Sequence, residues 1–180
     1  MIAINENNKV NSQNFGSIDL SLDSNLRRWF SRNIGLWQSE RTYYLEEKRK
    51  NYNLCMNLKI EALENNNAWQ AHYKFTWNPS EQYQFFKENP EFSESGEMQA
   101  YIQGHQLIRE QFYLSNSKGI SNIKQVDEHE MIFESSYDDW HIVEHTRLLD
   151  MDNLRYRVIY SWNKNKLKIV ESHHETRVHS

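Results

Sequence analysis

The sequence predicts an all-β protein: a closed antiparallel barrel of about ten short strands, preceded by one helix. Three observations predict it. Runs in which apolar and polar residues alternate with period two follow one another along most of the chain. The turns between them are short, so strands consecutive in sequence pair in space, and closure removes exposed edges. The composition suits strands, with 6 Trp, 10 Tyr and 8 Phe against only 5 Gly and 2 Pro. The alternative architecture is an open β-sandwich.

Residues 1–19, rich in Asn, Ser and Gln, read as a flexible tail, and 20–180 as a single domain. Leu22, Leu26, Trp29, Phe30 and Ile34 form one helical stripe. Ser21, Asp23 or Ser24 can cap its start, and Gly35 is placed to stop it. In the first strand Trp37, Ser39, Arg41, Tyr43 and Leu45 share a face. In the second, Tyr52, Leu54, Met56, Leu58, Ile60 and Ala62 do. After a polar turn at Glu64–Asn67, Trp69, Ala71, Tyr73, Phe75 and Trp77 share a face of the third.

Between Asn78 and Gly96 the alternation stops. Pro79-Ser80-Glu81 is expected to open a short helix carrying Tyr83, Phe85 and Phe86, ended by Pro90, as a lid or plug over one barrel end. Strands resume near 97–103, 106–114, 120–126 and 129–137. The strand from Trp140 to Leu149 carries Ile142, Glu144, Thr146 and Leu148 on one face. A four-residue loop, Asp150 to Asn153, then pairs Leu149 with Leu154 and Glu144 with Ile159.

The last hairpin carries the most informative charges. Arg155, Arg157, Ile159 and Ser161 share one face of a strand, and Leu167, Ile169, Glu171, His173 and Glu175 one face of the next. A three-residue turn, Asn163-Lys164-Asn165, sets Arg157 against Glu171 and Arg155 against His173. A two-residue turn swaps the faces and sets Arg157 beside Val170. Inside a barrel the two guanidiniums need anionic partners, because an unpaired buried charge is very costly. The pattern is equally consistent with a solvated charge ladder outside.

Composition removes several classes of function. A net charge of −4 argues against a nucleic-acid partner. No apolar run approaches the length of a membrane span, and no signal-peptide pattern is present, so no membrane insertion is expected. A single cysteine, Cys55, allows no internal disulfide and fits a reducing compartment, the cytoplasm or a plastid stroma. Cys55 lies on a polar face with nothing to activate it. The eight histidines form no dense cluster, so no metal is expected, and no phosphate loop or Gly-x-Ser-x-Gly elbow occurs. Gly35-x-Trp37 after a helix is a lipocalin-like feature, with Trp37 suited to plugging the barrel base. Arg41, on the same face, can stack on a ring or reach a ligand. Trp69 and Trp77 suit the core, or stacking on an extended π-system.

Gly35-Leu36-Trp37-Gln38-Ser39-Glu40-Arg41-Thr42 resembles the first strand of the S-type phycobiliprotein lyases, the CpcS/CpeS family. Glu144 followed by Asp152-Asn153-Leu154-Arg155-Tyr156-Arg157 resembles that family's Asn-Leu-Arg-x-Arg block. Ser172-His173-His174-Glu175-Thr176-Arg177 resembles its closing strand, and Gly104–Arg109 a further hairpin. Thr146-Arg147-Leu148-Leu149 departs from the family in lacking its Trp-Phe pair. The resemblance implies a lipocalin-like or fatty-acid-binding-protein-like barrel with no permanently bound cofactor. The substrate it implies is an open-chain tetrapyrrole, with phycoerythrobilin favoured over phycocyanobilin. The protein would attach this bilin through a thioether to a cysteine of a phycobiliprotein subunit, the β subunit favoured; a homodimer is allowed. Glu144 and Glu175 take the catalytic roles, with a carboxyl of raised pKa serving as acid. Arg155 and Arg157 bind propionates, and Trp69, Trp77, Arg41 and Ser39 complete the bilin site. The alternatives are a bilin carrier or other small-molecule binder without transfer activity, and a scaffold with no cavity.

Overall fold

A computed structural model describes residues 24–64, 71–110 and 118–179 of the 180-residue chain. The expected tail, Leu22, the capping candidates Ser21 and Asp23, and Trp69 lie outside the described residues. The order is α1 (Ser24–Ser31), β1 (Gly35–Leu45), β2 (Lys50–Leu63), β3 (Ala71–Pro79), α2 (Gln84–Glu88), β4 (Gly96–Gln103), β5 (Gln106–Arg109), β6 (Gly119–Gln125), β7 (Glu130–Tyr137), β8 (Trp140–Leu149), β9 (Leu154–Asn163) and β10 (Lys166–Val178). Each strand pairs antiparallel with its neighbours in sequence, and β1 also pairs with β10. That last ladder closes the barrel and excludes the open sandwich. No described helix is long and apolar enough to cross a membrane.

The period-two faces map onto inside and outside. Trp37, Ser39, Tyr43 and Leu45 of β1 and Leu54, Met56, Leu58 and Ile60 of β2 are buried, while Gln38, Glu40, Asn53 and Asn57 face out. At one end α1 plugs the barrel. Leu26, Trp29 and Phe30 are buried against Trp37, Tyr73, Ile102 and Phe133, and Trp29 Nε1 donates to the His129 carbonyl at 2.8 Å. Eight residues are too few for a stable isolated helix. Burial of three large side chains, each contributing about 1.5–3 kcal/mol, holds it in place.

Gly35 does not stop the helix. The last turn tightens through Asn33 N–H to the Phe30 carbonyl (3.0 Å) and Ile34 N–H to the Ser31 carbonyl (3.3 Å), and Gly35 is the first residue of β1. Its φ of +137° and the Arg177 Nη1 atom only 2.6 Å from where a Cβ would stand both demand glycine. Arg177 donates to the carbonyls of Arg32, Ile34 and Asp152, tying the end of α1 to β10.

The opposite end is covered by the 80–95 segment. The short helix starts at Gln84, later than expected, because Pro79 still belongs to β3, paired with Met56. Beyond that point the Cys55 backbone is taken over by the lid: its N–H donates to Tyr83 Oη (2.8 Å) and its carbonyl accepts from Ser80 N–H (2.9 Å). Phe85 and Phe92 are buried with Tyr43, Leu45, Leu54, Met56 and Ile169. Asn89, fully buried, donates to the Phe85 carbonyl (2.7 Å) and accepts from Lys48 Nζ (2.5 Å).

The β8–β9 hairpin has the expected register, Leu149 with Leu154 and Glu144 with Ile159. The β9–β10 hairpin does not. Its turn is two residues, Lys164 and Asn165, with φ of +50° and +63°, as a primed turn requires. Such a turn alone would swap the faces. A bulge between Leu167 and Ile169 inserts one residue and swaps them back. The charged face therefore points inward as expected, but Arg157 opposes His173 rather than Glu171, and Arg155 opposes Glu175 rather than His173. Leu167, before the bulge, is exposed.

Candidate functional site

Between the two apolar ends lies a cavity of about 140 Å³, or about 1300 Å³ of empty space when its open mouth is included. Its walls differ. β2, β3 and β4 present Met56, Leu58, Ile60, Phe75, Trp77 and Met98. The facing wall, from β1, β5 and β8–β10, presents Arg41, Arg109, Glu144, Arg157, Glu171 and His173, with Arg155 beside them. Phe86, Phe92 and Ser93 of the lid segment also line it.

The polar wall is a connected network. Glu144 Oε1 accepts from Arg157 Nε (2.9 Å) and Thr146 Oγ1 (3.1 Å), and its Oε2 accepts from Arg109 Nη2 (3.2 Å). Arg109 continues to Ser121 (2.7 Å), which is bonded to Ser135 (2.7 Å). Glu175 Oε2 accepts from Arg155 Nε (2.5 Å) and Oε1 from Ser39 Oγ (3.0 Å). Ser39 in turn accepts from Arg41 Nε at 3.0 Å. Arg155 also donates to Asn33 Oδ1 (3.0 Å), and its guanidinium lies 4.7 Å from the Trp37 ring centre. Trp37, 1% exposed, is at the base of the barrel and does not line the cavity.

These partners fix the charge states. Arg157 and Arg109 hold the Glu144 carboxyl below its usual value against the pull of burial. Arg155 and Arg157 do the same for Glu175, down to about 2. The carboxyl of raised pKa expected at Glu144 or Glu175 is instead Glu171: burial pushes it up to about 7, outweighing the attraction of Arg157 and Arg41. Burial together with Arg41 and Arg157 keeps His173 uncharged, well below its usual value.

The structure thus brings Arg41, Glu144, Arg155, Arg157 and Trp77 to one cavity. Ser39 and Glu175, both fully buried, stand behind Arg155 and Arg41, out of the cavity. Trp77 is half-buried, with its Nε1 donating to the Ser93 carbonyl (3.2 Å) and its ring against Gly96. The bland reading of the arginines as an outer ladder is excluded: Arg155 and Arg157 are 4% and 9% exposed. Sequence reasoning missed Arg109, Asn33, Tyr43 and Glu171 as parts of the site. Arg109 was visible only as a charge in phase with Leu107, an apolar position of a short strand. Cys55 faces outward, near Gln38. Among the described residues no group of three or more His, Cys, Asp or Glu side chains is arranged to hold a metal.

No protein-family profile matches the chain, and no curated protein matches it. Solved structures do. An S-type phycobiliprotein lyase, CpeS from Guillardia theta, superposes with a TM-score of 0.65 at 16% identity, over 86% of this chain and 93% of that one. A protein of unknown function from the DUF3598 family of Nostoc punctiforme gives 0.56 at 16% identity, over 82% of this chain and 48% of that one. Rv2717c from M. tuberculosis gives 0.51 at 7% identity, over 88% and 100%. At these identities the likeness is one of fold, and the chain shares the barrel fold of an S-type phycobiliprotein lyase.

Proposed function

We propose that the protein is a bilin lyase: it holds an open-chain tetrapyrrole in the barrel and delivers it to a cysteine of a phycobiliprotein subunit. One observation carries the reading. The cavity sets a cationic wall against an apolar, aromatic one. Among the described residues, four arginines (41, 109, 155 and 157) stand with three carboxylates (144, 171 and 175), one of which is partly protonated near neutrality. A bilin carries two propionates and a flat conjugated body, which match the two walls. Arg157, Arg155, Arg109 and Arg41 are the cationic groups for the propionates, and Trp77 and Phe75 face the rings. Glu144, ionised and lining the cavity, accepts pyrrole N–H bonds. Glu175 and Ser39 contribute by fixing Arg155 and Arg41. A ligand of that size needs several hundred Å³, so it extends from the inner cavity through the mouth.

The lyase needs no nucleophile of its own. The acceptor's thiol adds across the ring-A ethylidene: sulfur bonds to the exocyclic carbon, hydrogen goes to the ring carbon, and nothing leaves. The test is incubation with phycoerythrobilin or phycocyanobilin and an apo-phycobiliprotein β subunit. A lyase leaves the subunit coloured after denaturing electrophoresis. A spectral change of the bilin without labelling means a carrier, and no change at all rejects both.

A further inference from the structure

We infer that Glu171, seated against His173, is the proton donor of the cavity, transferring its proton to a basic ring nitrogen of the bound tetrapyrrole. The inference rests on the bilin reading above and names the residue that supplies the acid.

Arginines hold the other two candidates ionised, so neither has a proton to give. Both oxygens of Glu144 and both of Glu175 accept hydrogen bonds from arginine, serine or threonine. Glu175 is also 0% exposed and does not line the cavity. Glu171 lines the cavity, and among the described residues no guanidinium is hydrogen-bonded to it; it is bonded to His173, with the phenol of Tyr43 beside it.

The His173 tautomer follows from its partners. Arg157 Nη1, which can only donate, lies 3.4 Å from Nδ1, so Nδ1 accepts. Nε2 then bears the hydrogen and donates to Glu171 Oε2 at 3.1 Å. This leaves the other oxygen of Glu171 to carry a proton. Around Glu171 stand Tyr43 and Arg41 of β1, Arg157 of β9, Glu144 of β8 and His173 of β10 itself. Arg41 donates to Tyr43 Oη at 3.4 Å, and Tyr43 stands beside Glu171. The proton is retained to about pH 7, and Tyr43 holds its own far higher, up to about 12.

The step balances within the site. The Glu171 O–H bond breaks and an N–H bond forms on the ligand, giving a cationic conjugated system that a thiolate attacks more readily. The Glu171 carboxylate left behind accepts from His173 and faces Tyr43, Arg157 and Arg41. The proton released by the acceptor's thiol balances the one taken up by the ligand.

The test compares wild type with Glu171→Gln, using phycocyanobilin and an apo-phycobiliprotein subunit between pH 5 and 9. Wild-type transfer is expected to fall as pH rises through about 7. Glu171→Gln is expected to bind phycocyanobilin within a few-fold of wild type, lose the protonated absorption band, and transfer roughly 100-fold more slowly with no such limb. Should that variant fold poorly, Glu171→Asp keeps an acid at the position and is expected to keep a falling limb at a displaced pH. Carboxyl ¹³C resonances of the ligand-free protein give an independent reading: the resonance missing from Glu171→Gln should titrate near pH 7. Unchanged rate and limb in Glu171→Gln, or titration of that resonance below pH 5, overturns the assignment while leaving the lyase reading intact. Failure of wild type to bind phycocyanobilin overturns both.

Discussion

Arg155 Nε donates to Glu175 Oε2 at 2.5 Å across β9 and β10, in a spot where Arg155 is 4% and Glu175 0% exposed. Removing one member leaves the other charged and buried, which costs about 3–5 kcal/mol. Arg155→Ala is therefore expected to lower the unfolding midpoint in urea markedly. Arg155→Met with Glu175→Leu together should recover much of that loss. A double variant no more stable than the single one would contradict this.

Arg157→Ala should behave differently. Glu144 keeps Arg109 and Thr146 as partners, so less stability is lost than with Arg155→Ala. The charge lost faces the cavity. Charge-assisted contacts contribute about 1.5–3 kcal/mol, so bilin binding is expected to weaken roughly 10- to 100-fold in a spectroscopic titration. Equal binding by the variant would remove Arg157 from the proposed propionate site.

The network also sets an acid profile. Glu175 ionises at about 2 when folded against 4.5 ordinarily, so its stabilisation is present above 4.5 and is lost as pH falls toward 2. Glu171 runs the other way. Between 4.5 and about 7 the folded state keeps a proton the unfolded chain has released, so stability falls as pH rises. His173, neutral when folded, opposes this: unfolding lets it take up a proton below 6.5. The pair roughly cancels from 4.5 to 6.5. Glu171→Gln should expose the His173 slope, with unfolding free energy rising by up to about 1.4 kcal/mol per pH unit there. Denaturation curves at a series of pH values measure it.

Gly96 bears on the aromatic wall. A Cβ at this position would stand 2.8 Å from Cζ2 of Trp77. Gly96→Ala must push the indole away and break its bond to the Ser93 carbonyl. The expected result is a shifted absorption band of bound bilin with modest loss of stability, about 1–3 kcal/mol. An unchanged band would mean that Trp77 does not touch the chromophore.

The sequence by itself determined which residues share a face of each strand. Alternation in β1, β2, β8 and β9 follows from the pleat alone, and the four-residue β8–β9 loop gave that register correctly. The sequence also put both arginines and the three carboxylates on one shared face, but only the closed barrel turned that face inward. It did not determine which charge meets which. A two-residue turn followed by a bulge preserves the inward face yet slides β10 by two residues, and period-two patterning cannot see a shift of two. That slide gives Glu175 to Arg155 and leaves Glu171 to His173. Which carboxyl is shifted up and which down was likewise decided only by tertiary structure. Burial raises the pKa of all three glutamates, and nearby guanidiniums lower it, including that of Arg109 reaching Glu144 from β5. Coulombic attraction depends on distances across a closed barrel, and those distances exist only once the ends of the sheet have met.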